Sequence, residues 1–347
     1  MARIAVVVSH PPFSRGGHLV HGHALVDALR AGGHEAELVF TPQNRFGRQG
    51  AAYLATWLTD VGFSDGRAID QVISIRFPSY AVRHPRHVHW MNHTMREYYD
   101  LWPQWQAQLS WRTEMKERVR RALIHAADRA LLSPRRLTRL YSISDTVRRR
   151  LNEHLGLSSD VLHPPPPQRP YRCEEYGDFF FAVSRLMPHK RLDLLVRAMA
   201  EHPVQHVRCV IAGEGPEARA LRSLAATLGV ESRVEFVGRI DDERMLDYYA
   251  RCRAVCFVPL REDYGFVTAE AFASRKAVIT TLDSGGPAEL VADGVDGVRC
   301  APTPASIAAA MARLFDDPQA AETMGAAAGA KAATSTWPAV VERLVVA

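Results

Sequence analysis

Glu262 and Glu270 lie eight positions apart in the segment REDYGFVTAEAF (261–272), directly after the apolar run AVCFVPL (254–260). The apolar run predicts a buried strand, and the segment that follows it predicts the start of a helix. The helix dipole favours a carboxylate just before a helix, which explains Glu262 but not Glu270, about one and a half turns further along. Carboxylates accept hydrogen bonds from paired hydroxyl groups without having to donate any. The two glutamates therefore predict a site that binds the hydroxyl groups of a sugar and a ribose.

Two cations, Arg185 and Lys190, follow a second apolar run, FFFAVSR (179–185), in the segment SRLMPHKR (184–191). A guanidinium can bind two phosphate oxygens at once, and an ammonium acts as a compact positive charge. The pair therefore predicts a site for a diphosphate. The alternative is ordinary surface charge beside a helix.

The helix that carries Glu270 is expected to begin near Tyr264 and Gly265. The first amide groups of a helix have no partner within it and favour an anion. We therefore expect the amides of Gly265, Phe266 and Val267 to point at the anion that the two cations face. Small residues stand at two further helix starts after predicted strands: Gly16 with Gly17, and the segment SGGPAEL (284–290).

Short apolar runs alternate with amphipathic stretches along the whole chain. Apolar runs without polar alternation, each followed by a helical stretch, predict parallel sheets covered by helices on both faces. Ligands bind such sheets at the carboxyl ends of the strands, which is where the cations and glutamates stand. The runs that predict strands are 3–10, 34–40, 71–77, 87–93, 139–144 and 160–164 in the first half, and 179–185, 208–215, 233–239, 254–260, 277–283 and 297–302 in the second.

The proline-rich segment PPPPQRPYRCEEYGD (164–178) separates the two halves. Consecutive prolines cannot join the interior of a sheet, and they form a stiff, extended spacer. The predicted fold class is α/β, with two doubly wound Rossmann-like domains facing each other across a cleft. The predicted boundaries are 1–165 for the first domain, 166–178 for the linker, 179–336 for the second domain, and 337–347 for a C-terminal helix that packs back toward the first domain.

The composition, with 47% apolar and 23% charged residues over 347 positions, is that of a soluble globular protein. The chain has no apolar run of eighteen residues, and its start predicts a strand rather than a signal peptide. The five cysteines are odd in number and lie mostly in apolar runs, which favours free thiols and a cytoplasmic location. Three nearby histidines have no acidic partners close in sequence, so no metal is expected: His18, His21 and His23.

The segment 112–150 contains twelve Lys and Arg residues against four Asp and Glu residues. It predicts helices with basic faces, and one interpretation is a simple solvated surface. The other interpretation is attraction to an anionic partner: a membrane at its inner face, a phosphate-bearing carrier or a nucleic acid. A nucleic-acid-binding role is not expected, because aromatic residues are sparse there and no recognition motif is present.

Together these motifs resemble the retaining glycosyltransferases of GT-B fold, family 4 (glycosyl transferases group 1), whose mark is Glu-x7-Glu followed by a small-residue turn. The matching segments stand in the family's order along almost the whole chain: Gly16 with Gly17, SRLMPHKR, GEGP (213–216), FVGRI (236–240) and EDYGFVTAEAF. The resemblance implies that the second domain binds a nucleotide sugar and that the first binds the acceptor. One departure is visible: ASRKAVI (273–279) stands where the family commonly has a glycine and a proline.

The resemblance also implies roles for individual residues. Arg185 and Lys190 would hold the diphosphate, Glu262 would bind the hydroxyls of the hexose, and Glu270 would bind the ribose. The segment HWMNHTMREYYDLW (89–102) resembles a family pattern that places His93 near the anomeric carbon. Gly238 and Arg239 would meet the base through their backbone. The implied catalytic residues are His93, Glu262, Arg185 and Lys190, and the implied donor-binding residues are Gly16, Gly17, Arg185, Lys190, Gly238, Arg239, Glu262, Tyr264, Gly265, Phe266, Val267 and Glu270.

The predicted activity is transfer of a hexose from a nucleoside diphosphate sugar, with UDP and GDP as expected carriers, to a hydroxyl of a glycan, a lipid-linked carrier or a natural product. Retention of the anomeric configuration is expected, with no metal and no cofactor, since the cations and helix starts stabilise the leaving phosphate. A nucleotide-sugar epimerase of the same fold is the main alternative. A glycoside hydrolase is disfavoured, because the glutamates stand beside cations suited to phosphate.

Overall fold

The computed structural model of this protein describes residues 1–11, 13, 17–43 and 47–346, with the backbone alone for His18. The chain divides into two compact units. The N-terminal unit comprises Met1–Pro167 and Thr336–Ala347, and the C-terminal unit comprises Gln168–Ser335. The predicted fold class of two Rossmann-like α/β domains is confirmed.

The N-terminal unit contains a six-stranded parallel sheet and a small separate hairpin. Its strands are β1 (Arg3–His10), β2 (Glu35–Pro42), β3 (Phe63–Ser64), β4 (Arg67–Ala68), β5 (Gln71–Ile75), β6 (His87–Met91), β7 (Arg139–Ser142) and β8 (Asp160–Val161). Its helices are α1 (Gly17–Ala31), α2 (Gln49–Leu58), α3 (Trp102–Gln106), α4 (Trp111–Leu131) and α5 (Asp145–Leu155). The sheet order is β2-β1-β5-β6-β7-β8.

The C-terminal unit contains a second six-stranded parallel sheet. Its strands are β9 (Phe179–Val183), β10 (Arg208–Ala212), β11 (Val234–Gly238), β12 (Val255–Cys256), β13 (Val278–Thr281) and β14 (Gly297–Cys300). Its helices are α6 (Leu192–Ala198), α7 (Ala218–Thr227), α8 (Asp242–Arg251), α9 (Phe266–Ala273), α10 (Gly286–Leu290), α11 (Pro304–Asp316) and α12 (Pro318–Thr334). The sheet order is β11-β10-β9-β12-β13-β14.

The final helix, α13 (Trp337–Leu344), belongs to the N-terminal unit although it follows the C-terminal unit in sequence. The Gln71 side chain binds the end of this helix twice: Nε2 donates to the Leu344 carbonyl at 2.7 Å, and Oε1 accepts from the Val346 amide at 2.9 Å. The Tyr141 hydroxyl donates to the Arg343 carbonyl at 3.0 Å. These bonds satisfy carbonyls that the end of a helix leaves without partners.

All twelve predicted strands are present, but several are shorter than predicted. The run 254–260 forms only the two-residue strand β12, and 160–164 forms only β8. The apolar runs continue past the last paired residues because Phe257 and Val258 after β12, and Leu162 after β8, stay buried outside the sheet. The antiparallel hairpin of β3 and β4 was not predicted, since all four of its residues are exposed and carry no alternating pattern.

The departure ASRKAVI lies just after α9. Arg275 adopts the left-handed conformation, with φ of 54°, which glycine adopts at lower cost. A lysine just after a helix suits the negative end of the helix dipole, but the structure buries Lys276 completely. Its ammonium donates to the Glu175 carbonyl and lies 4.0 Å from the centre of the Tyr176 ring. Lys276 therefore fixes the start of the C-terminal unit to the sheet.

Among the described residues, no helix combines the length and the apolar character that crossing a lipid bilayer requires. All five cysteines are free thiols.

A buried carboxylate organises the packing of α4. Asp128 accepts hydrogen bonds from three tyrosine hydroxyls: Tyr53 on α2, Tyr80, and Tyr99, the last at 2.5 Å. No cation neutralises it among these partners, and burial raises its pKa from 3.8 to about 6. The cluster joins α4 to α2 and to two segments that follow strands of the sheet.

This cluster predicts a pH dependence of stability. Because the folded protein holds the proton of Asp128 more tightly than the unfolded chain, the stability from this group is present below about pH 4 and is lost as pH rises through about 6. The difference corresponds to roughly 3 kcal/mol. We expect the free energy of unfolding of the wild type, relative to Asp128→Asn, to fall by about this amount between pH 4 and pH 7 in urea titrations. If the free energies of unfolding of the two proteins change in parallel with pH, the prediction is contradicted. Asp27→Asn is the control, because it removes an exposed carboxylate.

Candidate functional site

In the sheet of the C-terminal unit, the order in which strands are added reverses between β9 and β12, which are neighbours in space but far apart in sequence. From β9 the strand order runs outward through β10 and β11 on one side, and through β12, β13 and β14 on the other. Loops that leave the carboxyl ends of two such strands diverge and open a crevice, which is where sheets of this order bind ligands. Lys190 follows β9 and Glu262 follows β12, so both stand at this crevice.

The structure brings these two side chains into direct contact. Lys190 Nζ lies 2.7 Å from Glu262 Oε2, and the side chains are 10% and 20% exposed. The ammonium also lies 5.4 Å from the centre of the Phe257 ring. A partly desolvated cation at the mouth of a parallel sheet, neutralised by a carboxylate that solvent still reaches, is well placed to exchange that carboxylate for an incoming anion.

The backbone of Glu262 forms hydrogen bonds with the turn that follows β13. Its amide donates to the Ser284 carbonyl at 2.7 Å, and its carbonyl accepts from the Gly286 amide at 2.8 Å. Gly285 has φ of 76°, and a Cβ there would lie 2.5 Å from the Glu262 carbonyl oxygen. Only glycine fits so close an approach, which explains the small residues of SGGPAEL.

Gly265 starts α9 under a similar constraint. Its φ is 81°, and a Cβ there would lie 2.7 Å from Pro287 Cγ and 2.8 Å from Phe257 Cε1. The helix therefore begins at Phe266, one residue after the predicted start, with its positive dipole end at the carboxyl end of β12. Tyr264 is buried and packs edge-on against the Phe266 ring at 5.2 Å.

Glu270 lies further along α9 in a separate, more deeply buried cluster. Its Oε1 accepts from Arg169 Nη1 at 2.7 Å, and its Oε2 accepts from the Tyr249 hydroxyl at 3.0 Å. Burial raises the pKa of Glu270, whereas Arg169 and Tyr249 act in the opposite direction. Arg169 also lies 3.2 Å from Asp242 at the start of α8. Both oxygens of Glu270 already carry one protein hydrogen bond, and each keeps a second lone pair for a ligand hydroxyl.

Sequence reasoning missed Arg169 and Tyr249. Arg169 lies in the proline-rich segment that was interpreted as a plain spacer, and Tyr249 lies in the middle of α8. The sequence contained one signal for Arg169, which is its position between prolines. Prolines restrict the backbone to an extended conformation, so a side chain between them points in a defined direction.

The remaining residues predicted in this unit lie at its surface. Arg185 and Arg239 are exposed, and Gly238 has φ of 70° with its carbonyl accepting from the Gly213 amide at 2.7 Å. At Gly213, a Cβ would lie 1.8 Å from the Ser184 carbonyl oxygen. The GEGP motif therefore lets the end of β10 pass directly against the segment that carries Arg185.

Three predicted residues belong to the N-terminal unit. His93 lies two residues beyond β6, and its Nδ1 donates to the Thr94 carbonyl at 2.9 Å. Gly17 is the first residue of α1, and Gly16 lies outside the described residues. Within the part of the chain that the structure describes, no group of three or more His, Cys, Asp or Glu side chains is arranged to hold a metal ion.

Comparison with a family model assigns residues 170–331 to the family described as Glycosyl transferases group 1. The matched range covers just under half of the chain and nearly all of the C-terminal unit. It includes Lys190, Glu262 and Glu270.

Curated relatives match over a similar length. A GDP-mannose-dependent alpha-(1-6)-phosphatidylinositol monomannoside mannosyltransferase of Mycolicibacterium smegmatis is 33% identical over 202 residues, covering 53% of this chain and 52% of that protein. A D-inositol 3-phosphate glycosyltransferase of Corynebacterium diphtheriae is 33% identical over 172 residues, covering 47% of this chain and 40% of that protein. The chain thus spans about half the length of the curated relatives it matches.

A solved structure matches over almost the whole chain. Sucrose-phosphate synthase (tll1590) from Thermosynechococcus elongatus aligns with a TM-score of 0.76 and 16% identity, covering 99% of this chain and 97% of that one. At this identity the likeness shows the fold alone, which is the GT-B arrangement.

Proposed function

We propose, from the match of residues 170–331 to the family Glycosyl transferases group 1, that the chain transfers a hexose from a nucleoside diphosphate sugar to a hydroxyl acceptor. The observation that carries the proposal is the Lys190–Glu262 pair, 2.7 Å apart at the point where the strand order of the C-terminal sheet reverses. The comparisons give no support to the epimerase or the nucleic-acid alternatives.

The pair can separate when the donor binds. The ammonium of Lys190 would turn to the diphosphate, and the carboxylate of Glu262 would accept hydrogen bonds from the hexose hydroxyls. The start of α9 adds a positive dipole end on the same side of the sheet. The ammonium would bind the diphosphate, and the neighbouring carboxylate would bind the hydroxyls of the hexose. Such a site distinguishes a nucleotide sugar from a nucleotide that carries no hexose.

We propose that transfer retains the anomeric configuration and needs no metal ion. The barrier lies in the departure of the nucleoside diphosphate from an oxocarbenium-like carbon, so charge grows on the leaving phosphate. Lys190 would stabilise that charge, together with the exposed guanidinium of Arg185. The leaving phosphate would take the proton of the acceptor hydroxyl on the same face, so no protein nucleophile is assigned. The role of His93 near the anomeric carbon stays a prediction from the family resemblance.

The donor base and the acceptor are specified only by class. The two named relatives act, by their names, on a phosphatidylinositol mannoside and on D-inositol 3-phosphate, and one uses GDP-mannose. These matches cover about half of this chain, and acceptor-binding loops vary freely on one fold. The proposed acceptors are a glycan, a lipid-linked carrier or a small molecule, and the proposed location is the cytoplasm.

A thermal-shift panel of UDP, GDP, ADP and dTDP tests the donor site. We expect one nucleotide to stabilise the protein most, by about 2.7 kcal/mol at a hundred times its Kd. The corresponding sugar nucleotide is then incubated with candidate acceptors, and the anomeric configuration of the product is read by NMR. An inverted product would refute retention, conversion of the donor without acceptor would favour the epimerase, and a panel without any stabilising nucleotide would refute the donor site.

A further inference from the structure

Helix α4 in the N-terminal unit exposes a row of large apolar side chains along one face. Trp111, Met115, Val119 and Leu123 are 73%, 63%, 57% and 67% exposed. They are spaced four residues apart over three turns, so they form one continuous strip rather than scattered contacts. We call this strip the outer face of α4. Scattered single apolar residues are normal on a surface, but a continuous row of four is not.

Two of the three carboxylates of α4, Glu117 and Asp128, lie on the opposite side. Glu114 accepts from Gln106 at 2.7 Å and from Arg118 at 2.9 Å, and Glu117 accepts from the Tyr98 hydroxyl at 2.6 Å. Asp128 is enclosed by its three tyrosines. At 100° per residue, Glu117 and Asp128 are within about 20° of each other, and the outer face is centred about 180° away. Glu114 lies about 120° from that centre, nearest the Trp111 edge, and its Oε1 is paired with Arg118 at 2.7 Å, so no carboxylate of this helix lies within the outer face.

Cations border the outer face on both sides. Arg112 and Lys116 are exposed along one edge, and Arg118 and Arg129 along the other. The Arg112 guanidinium lies 5.1 Å from the centre of the Trp111 ring, so the basic and apolar groups are adjacent. The strip continues toward the end of the helix through small exposed residues: Ala122, Ala126 and Ala130.

We infer that the outer face of α4 docks onto an anionic lipid surface, with the helix lying in the plane of the interface. A helix with an apolar strip, basic edges and no acidic residue on that side matches the chemistry of a charged bilayer boundary. Tryptophan favours the same boundary, because its ring is apolar and its N–H is polar. A nucleic acid would match the cations but not the apolar row, since phosphates offer nothing for it to bury against. The inference stands independently of the proposed function.

Vesicle flotation of the full chain tests this surface. We expect the protein to float with vesicles of phosphatidylcholine and phosphatidylglycerol in equal parts, and to stay behind with pure phosphatidylcholine. Binding should weaken as salt rises, since the cations act partly through long-range attraction. Equal flotation with both compositions would overturn the electrostatic part of the inference, and no flotation with the anionic vesicles would overturn all of it.

Two double variants separate the apolar from the ionic contribution. Met115→Gln with Leu123→Gln removes apolar contact at constant charge, and Arg112→Gln with Lys116→Gln removes two cations at constant apolar area. Each is expected to lower the vesicle partition coefficient by about tenfold or more. Leu282→Gln with Val295→Gln is the matched control, because these side chains are 64% and 57% exposed in the C-terminal unit. A control that loses as much binding as the first variant would contradict the assignment to α4.

Two further measurements keep the outcome unambiguous. The Tm and the nucleotide-induced thermal shift of the two α4 variants should equal those of the wild type, since their substituted side chains are exposed and lie in the N-terminal unit, whereas the donor-site residues lie in the C-terminal unit. If the proposed donor site is wrong, no nucleotide will raise the Tm of the wild type, whereas its flotation with anionic vesicles will be unchanged. A wild type that does not float but sediments as a dimer, which Met115→Gln with Leu123→Gln disrupts, would replace the lipid with a second copy of this chain.

Discussion

Replacing Lys190 by alanine is expected to abolish most of the nucleotide-induced rise in Tm and to slow transfer by about a hundredfold or more. The ammonium lies where the strand order of the sheet reverses, and the side chain is 90% buried against Glu262 and Phe257. A cation from solvent would have to lose most of its hydration to take its place. Removal of the lysine leaves the carboxylate of Glu262 at the crevice without the ammonium that neutralises it, and that carboxylate repels a diphosphate. Differential scanning fluorimetry with the best nucleotide of the panel, followed by a transfer assay, measures both effects.

The same substitution should cost the ligand-free protein only about 1–2 kcal/mol of stability, because Glu262 keeps contact with solvent after its partner is lost. Binding and folding can therefore be separated. Arg208→Ala is the matched control, since Arg208 pairs at 3.6 Å with Asp178 at the opposite end of the same sheet. If Lys190→Ala keeps the full thermal shift, the phosphates bind elsewhere.

Replacing Glu270 by alanine is expected to lower the free energy of unfolding by about 3–5 kcal/mol. Arg169, whose side chain is largely buried, would lose its nearest counter-charge, and the Tyr249 hydroxyl would lose its acceptor. Urea titration measures the change. Glu174→Ala is the control: Glu174 also binds two arginines, Arg172 and Arg251, but at the surface, so little stability should be lost. If both variants lost a similar free energy of unfolding, the larger effect expected of the buried glutamate would be contradicted.

A milder change separates the proposed contact of Glu270 with a ribose from its structural role. Glu270→Gln keeps a hydrogen-bonding group for Arg169 and Tyr249, so the variant is expected to fold. Its affinity for a nucleoside diphosphate should fall about tenfold, because an amide is a weaker acceptor than a carboxylate for ribose hydroxyls. Its affinity for inorganic pyrophosphate, which has no ribose, should not change. Calorimetric titrations with both ligands test this, and an equal loss for both would show that Glu270 acts only through the fold.

The placement of Lys190 and Glu262 could be predicted from the sequence because it follows from a general rule. Apolar runs followed by helices indicate parallel strands, and parallel strands present the residues after their carboxyl ends at one edge. The glycines at 265 and 285 were also recognisable, since a turn that meets another backbone closely requires them. Their common feature is that each depends on only a few neighbouring residues.

The network around Glu270 could not be predicted in this way. It requires that Arg169 from the proline-rich segment, Tyr249 from α8 and Glu270 from α9 meet, and their separations in sequence range from 21 to 101 residues. No local pattern fixes which buried polar group receives which partner. Lys276 shows the same limit, because a lysine after a helix is usually exposed and only the packing around Tyr176 shows that this one is buried.

By itself, the sequence determined the two parallel sheets and the excess of positive charge in 112–150, because periodicity and composition are local properties. Only the tertiary structure decided which charges of that segment reach solvent. Glu117 and Asp128 of α4 are drawn inward by tyrosine hydroxyls from distant segments, whereas Arg112, Arg118 and the apolar side chains of the outer face stay exposed. The reason is that a buried carboxylate needs donors, and the fold alone decides where those donors stand.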